Sequence, residues 1–158
     1  MNQCIFSARS IEDTERLGMI LAETLEDGTV VALLGTLGAG KTRLVQAIAA
    51  NCGVPRHTVV SPTFVLCQEY HGKRTIYHFD AYRLKDDDEF LELGPDEYFD
   101  SNGISFVEWA ERVERCLPSE RLEIRIEIIT EQSRRLHVTG FGTRYSDVVE
   151  NLQRALKA

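Results

Sequence analysis

The stretch Val30-Val31-Ala32-Leu33-Leu34-Gly35-Thr36-Leu37-Gly38-Ala39-Gly40-Lys41-Thr42 decides the fold. It reads as a short apolar strand, a glycine-rich turn and the start of a helix. That helix continues as Arg43-Leu44-Val45-Gln46-Ala47-Ile48-Ala49-Ala50 with apolar residues at helical spacing. The turn from Gly35 to Thr42 fits G-x-x-x-x-G-K-[ST], the phosphate-binding loop. The residue types suit that chemistry. Glycine permits positive φ and close main-chain approach to a ligand. Successive N–H groups then line one concavity for phosphate oxygens. A helix starting near Gly40 adds its unpaired N–H groups and the positive end of its dipole. Lys41 is placed to reach β- and γ-phosphates, and the Thr42 hydroxyl can ligate Mg²⁺. The competing reading is a chance glycine turn. The strand–turn–helix context that the motif requires argues against it, and the absence of G-x-G-x-x-G disfavours a dinucleotide fold.

Downstream, Asn51-Cys52-Gly53-Val54-Pro55 ends the helix. In Val59-Val60-Ser61-Pro62-Thr63-Phe64, proline denies Ser61 the helical region. Small hydroxyls just beyond a phosphate helix suit a switch segment, but loops of this composition are common and spacing alone favours a polar turn into the next strand. Phe64 to Tyr70 and Arg74 to Phe79 form a hairpin around His71-Gly72-Lys73. The second strand ends at Asp80. A further buried strand, Ile104 to Trp109, carries Glu108 at its end. Both acids then lie at carboxyl ends of strands, beside the ligand crevice of an open sheet. One can hold Mg²⁺ and the other can orient the attacking water, and spacing alone does not assign them.

Upstream, Cys4-Ile5-Phe6 suits an edge strand. Ser10 caps a helix with Leu17, Ile20, Leu21 and Leu25 on one face, stopped by Asp27-Gly28, and its start lies within reach of a nucleotide base. Lys85 to Glu89 reads as a solvated helix start, and Gly94-Pro95 as a break. Ala110 to Leu117 reads as a short helix closed by Pro118. Leu122 to Ile128 alternates as a half-solvated strand. Glu131 to Arg135 turns into a partner strand bearing Leu136, Val138 and Phe141. Tyr145, Val148, Val149, Leu152 and Leu156 mark a final amphipathic helix.

The totals agree with one domain over residues 1–158 and 43% apolar content. The net charge of −7, from 25 acidic and 18 basic side chains, opposes strong unaided binding to nucleic acid. No run nears the ~20 apolar residues of a membrane span, and no signal pattern opens the chain, so a cytoplasmic protein is expected. Cys4, Cys52, Cys67 and Cys116 form no C-x-x-C pair and read as buried reduced thiols. The four histidines lack the i, i+4 spacing of a helical metal pair.

Taken in order, the phosphate loop, Ser61-Pro62-Thr63-Phe64, His78-Phe79-Asp80-Ala81-Tyr82-Arg83-Leu84 and Val107-Glu108-Trp109 resemble the TsaE (YjeE) family, the ATPase of bacterial tRNA threonylcarbamoyladenosine synthesis. Thr14 with Leu17-Gly18, and Arg134-Arg135, also fit. The likeness spans nearly the whole chain, with Thr36 standing where the family more often has Asp. The resemblance implies a P-loop NTPase-like three-layer α/β fold, with a mixed, mainly parallel sheet flanked by helices. It implies slow hydrolysis of ATP to ADP with Mg²⁺. It also implies work with the TsaB–TsaD pair, downstream of TsaC, which resets the transfer complex and meets tRNA only through it. Carried over by position, Thr42 and Glu108 are the magnesium ligands, Asp80 positions water, and Ser61 to Phe64 is a switch loop. Lys41, Asp80 and Glu108 form the catalytic set. Nucleotide contacts fall to Thr36, Gly38, Ala39, Gly40, Lys41, Thr42 and Arg43, with Thr14 and Arg134 near the base or ribose.

Two other functions fit the loop. A small-molecule kinase needs a lid or an arginine-rich substrate pocket, and no such lid reads from the sequence. A non-hydrolysing scaffold has no use for two acids at strand ends.

Overall fold

The fully apolar run Val30–Leu34 becomes the central strand, because only a strand covered on both faces buries such a run. The computed structural model describes residues 2–62 and 66–157, with Arg56 in its main chain alone. Thr63 and Phe64 of the expected switch segment therefore lie outside the described residues, as does Val65. In chain order the elements are β1 (Asn2–Ala8), α1 (Ile11–Thr24), β2 (Val30–Leu34), α2 (Lys41–Ala50), β3 (Cys67–His71), β4 (Thr75–Asp80), α3 (Asp87–Leu91), α4 (Pro95–Phe99), β5 (Ile104–Glu108), β6 (Arg121–Ile128), β7 (Arg134–Phe141) and α5 (Thr143–Lys157).

The strands form one sheet in the order β1-β7-β6-β2-β5-β4-β3. Strand β2 runs parallel to both β5 and β6, and β4 runs parallel to β5. The pairs β1–β7, β6–β7 and β3–β4 are antiparallel. Strands β1, β2, β4, β5 and β6 thus share one direction, and β3 and β7 oppose it. The sheet is mixed and mainly parallel, as expected.

Alternation along the strands splits the core in two. Val31, Leu33, Ile76, Ile104, Phe106, Leu122 and Ile124 face a larger cluster with Leu17, Leu44, Ile48 and Val149 of α1, α2 and α5. Val30, Ala32, Leu34, Phe79 and Val107 face a smaller cluster with Phe90 and Phe99 of α3 and α4. Helices therefore cover both faces, giving three layers. Helix α1 starts where the Ser10 hydroxyl accepts the Asp13 N–H at 3.3 Å. It crosses α2 closely at Gly18, where a Cβ would lie 2.4 Å from that of Ala47.

One segment differs from the sequence reading. Ala110 to Leu117 is not a continuous helix but two 3₁₀ turns, Ala110–Arg112 and Glu114–Cys116, split at Val113 with φ −130°. In a 3₁₀ turn, residues i and i+3 lie on one side. Ala110 and Val113 can thus both enter the smaller core, where they are 1% and 0% exposed. The cysteines also differ in part. Cys4 and Cys52 are buried, but Cys67 and Cys116 are only half-buried; all four are free thiols. Among the described residues, no helix is long and apolar enough to cross a membrane.

Candidate active site

Strands β4 and β5 run in parallel register with Asp80 opposite Glu108, and Leu33 of β2 opposes Glu108 on the other side. The two acids therefore end adjacent strands just where β2 hands over to the glycine loop. This is the carboxyl edge of the sheet, where open α/β sheets bind ligands.

The loop folds as its glycines allow. Gly35 (φ 147°) passes so near β6 that a Cβ would sit 2.7 Å from the Ile126 carbonyl oxygen. Gly40 (φ 111°) is the N-cap of α2 in a left-handed conformation and supplies no capping side chain. The first N–H groups of α2 are thus left to an anion.

Lys41 is 4% exposed. Its Nζ donates to Gly35 O at 2.5 Å and Thr36 O at 3.1 Å, and lies 3.9 Å from the centre of the Trp109 ring. Burial lowers its pKa below the usual lysine value, partly offset by the negative charges of Glu108, Glu111 and Asp80. Trp109 follows Glu108 with φ 57°, a left-handed conformation that costs a non-glycine residue roughly 1–3 kcal/mol. The turn lays the indole over Lys41 and sets it 4.8 Å, centre to centre, from the Tyr82 ring.

The Thr42 hydroxyl donates to Glu108 Oε2 at 2.7 Å, and the buried His78 Nε2 lies 2.5 Å from the same oxygen. Asp80 accepts from Ser61 Oγ at 3.1 Å and from the Tyr82 N–H at 2.8 Å. A cleft of about 330 Å³ is lined by Leu37 to Arg43, Ser61, Asp80, Tyr82, Glu108 and Trp109. Beside it, a cleft of about 540 Å³ is lined by Arg9, Ser10, Thr14, Gln132 and Arg134, and shares Gly38, Ala39, Gly40 and Arg43 with the first.

The sequence-derived residues divide accordingly. Lys41, Thr42, Asp80 and Glu108 meet in the first cleft, and Thr14 and Arg134 line the second. Thr36 stands apart, in a depression with Trp109, Glu111 and Arg125, although its carbonyl receives Lys41. Three features escaped the sequence reading. His78 touches Glu108, and beyond its place at the head of the motif ending at Leu84 its sequence signal is its i, i+2 spacing from Asp80 on a strand, which puts both on one face. Arg134 donates from Nε to Ala39 O at 2.9 Å and from Nη1 to Thr130 O at 2.8 Å, tying the loop to the β6–β7 turn. Tyr82 and Trp109 stack at the cleft mouth.

The donor set fits a magnesium ion. Thr42 gives its proton to Glu108 and keeps its oxygen lone pairs, and a carboxylate stands beside it. Both are hard oxygen ligands. Among the described residues no group of three or more His, Cys, Asp or Glu gathers as a metal cage. Mg²⁺ usually takes one or two protein ligands, with substrate phosphates and water completing its shell.

Sheet order, glycine loop and paired acids define a P-loop-like α/β protein, a class whose fold suggests nucleotide binding. The model of the family described as "Threonylcarbamoyl adenosine biosynthesis protein TsaE" matches residues 8–136. The chain is 39% identical over 155 residues to a Bacillus subtilis (strain 168) protein named "tRNA threonylcarbamoyladenosine biosynthesis protein TsaE", covering 98% of this chain and 96% of that one. A Treponema pallidum (strain Nichols) protein of the same name is 38% identical over 131 residues, covering 83% of this chain and 96% of its own length. The crystal structure of Bacillus subtilis YdiB superposes with a TM-score of 0.82 at 33% identity, over 98% of this chain and 96% of that one. The chain belongs to the TsaE family.

Proposed function

We propose that residues 1–158 act as a single cytoplasmic ATPase domain of the machinery that makes N6-threonylcarbamoyladenosine at position 37 of tRNA. In this reading, Mg²⁺-dependent ATP hydrolysis drives or resets a TsaB–TsaD transfer complex, with TsaC acting upstream. Family membership and the names of the relatives support the pathway. The observation that carries the ATPase reading is the bond from Thr42 to Glu108 beside Asp80. Hydroxyl and carboxylate stand together at the start of α2, with a second carboxylate on the neighbouring strand.

The geometry supports the following roles. Main-chain N–H groups of Gly38, Gly40, Lys41 and Thr42 bind the phosphate oxygens, the Ala39 N–H being held by Thr36 O, and Lys41 adds its charge to them. Thr42 and Glu108 would hold a magnesium ion, which would supply positive charge against the phosphate oxygens. Asp80 accepts a hydrogen bond from the attacking water and orients it toward the γ-phosphorus. Ser61, bonded to Asp80, links the segment after α2 to that carboxylate. Thr14 and Arg134 border the space for ribose and base. Tyr82 and Trp109 limit water at the cleft mouth.

The test is phosphate release from ATP with no acceptor, with and without purified TsaB–TsaD. Slow basal release that rises strongly with the partners is expected. No release under either condition overturns the reading.

A further inference from the structure

Glu108 receives both of its side-chain hydrogen bonds among the described residues on one oxygen. Thr42 Oγ1 lies 2.7 Å and His78 Nε2 2.5 Å from Oε2. Oε1 has no such partner, yet it is not among the buried polar atoms left without one. It therefore meets the cleft. His78 sits two register positions behind the acids, on the same face: it pairs with Phe106, while Asp80 pairs with Glu108. It is 0% exposed, with the Tyr70 ring 6.4 Å away. Its Nδ1 is buried with no hydrogen-bond partner.

A carboxylate oxygen only accepts, so Nε2 carries the proton it donates. Nδ1 is left buried without a partner, at a cost that the contact with Glu108 must outweigh. An imidazole that donates from Nε2 and leaves its second nitrogen unused is a poor choice for stability alone. An apolar side chain would fill the site without burying a polar atom.

We propose that His78 is a positioning residue: its Nε2–H pins Glu108 Oε2 and thereby aims Oε1 at the divalent cation. This rests on the ATPase reading given above. Partners that orient a metal ligand change metal affinity when removed, typically by about 10–100-fold. Thr42 holds the same oxygen from the opposite element. Losing His78 leaves the carboxylate with one fixed bond and freedom to rotate about it.

The experiment compares His78→Gln, whose amide nitrogen stands near Nε2, with His78→Asn, whose amide stands near Nδ1 and cannot reach Glu108. For each, Trp109 fluorescence reports ADP binding, first in chelator and then across a Mg²⁺ titration at fixed ADP. Thermal melting is recorded alongside. Expected for Asn is about a tenfold or greater rise in the Mg²⁺ concentration at half-saturation, with chelator-state affinity unchanged. Gln should restore the wild-type midpoint. Should Asn and Gln share the wild-type Mg²⁺ midpoint, or should Asn weaken binding equally with and without metal, the positioning role is overturned while the ATPase reading stands. A wild-type protein that binds ADP with no dependence on Mg²⁺ overturns the magnesium reading itself, and the role of His78 with it.

Discussion

Arg134, the first residue of β7, donates to the carbonyl of Ala39 in the glycine loop across 95 positions of sequence. The guanidinium fork explains the reach. Nε and Nη2 face the loop, at Ala39 O and Gly38 O, while Nη1 gathers carbonyls of the β6–β7 turn at Thr130 and Ser133. The Ala39 carbonyl, drawn toward Arg134, turns its peptide N–H, that of Gly40, the other way, toward the concavity that would hold phosphate, while the Ala39 N–H is held by Thr36 O at 3.1 Å. The brace thus acts on the loop's donors, not on a ligand alone.

Arg134→Ala should therefore weaken nucleotide binding by about tenfold. A charged hydrogen bond contributes roughly 1.5–3 kcal/mol when buried, and the half-buried setting of Arg134 reduces that to about 1–1.5 kcal/mol. Arg134→Lys should recover little, because an ammonium cannot fork between loop and turn. Calorimetric titration with ADP checks both. Wild-type affinity in the alanine variant would show that the loop holds its shape unaided.

Gly18 makes a prediction about the frame. In mid-helix, Gly→Ala ordinarily gains roughly 0.5–1 kcal/mol. Here the added Cβ would lie 2.4 Å from Ala47 Cβ and 3.0 Å from the Ala47 carbonyl carbon. The helices must separate, and overpacking of this kind costs about 1–3 kcal/mol. Net destabilisation of about 1–2 kcal/mol is expected in urea unfolding. Adding Ala47→Gly should relieve the clash, so the double variant loses less than the two single losses combined. A Gly18→Ala protein more stable than wild type would show that α1 can shift freely.

The core of this site is legible in the sequence because its chemistry is local. Gly35 to Thr42 is contiguous, and strand, turn and helix are each written in their own residues. Asp80 and Glu108 were visible as acids at the ends of apolar runs. Their adjacency depends on β4 pairing with β5 in parallel, which no residue of either strand spells out. The brace from Arg134 lay beyond reach for the same reason: β6 and β7 must return beside β2 before the arginine meets Ala39. Ala110 to Leu117 was misread because its apolar spacing suits a helix, whereas the left-handed Trp109 and the extended φ of Val113 break it into two turns. His78 was hidden by its company. In an apolar strand, a histidine looks like core until its neighbour across the ladder is known.

Lys41 gives a pH-dependent prediction. Burial lowers its folded-state pKa below the ordinary 10.5. Between the lowered value and 10.5, the unfolded chain binds more protons than the folded one, so this group makes stability rise with pH across that window. The cysteines and tyrosines with raised pKa values titrate in a similar alkaline range, and a paired comparison cancels them. The unfolding free energy of wild type minus that of Lys41→Met should therefore increase as pH climbs toward 10.5. A flat difference would mean that the ammonium keeps its ordinary pKa despite being 4% exposed.

Asp80 separates binding from turnover. The carboxylate is 2% exposed and is held by Ser61 Oγ and the Tyr82 N–H. It ends β4 beside Glu108, but the hydroxyl of Thr42 goes to Glu108. Removing Asp80 therefore leaves the Thr42–Glu108 pair and the loop donors in place. Asp80→Ala should bind ATP with near wild-type affinity and lose about 10²-fold or more in turnover, the range for a group that handles a proton in the transition state. It should also lose about 1 kcal/mol of stability with the bond to Tyr82, which a melting curve measures separately. Single-turnover hydrolysis under saturating ATP and Mg²⁺ reads the chemical step itself. Equal rates in variant and wild type would move the water-orienting role from Asp80 to Glu108, and a matching loss of affinity would make Asp80 a ligand of the bound nucleotide instead.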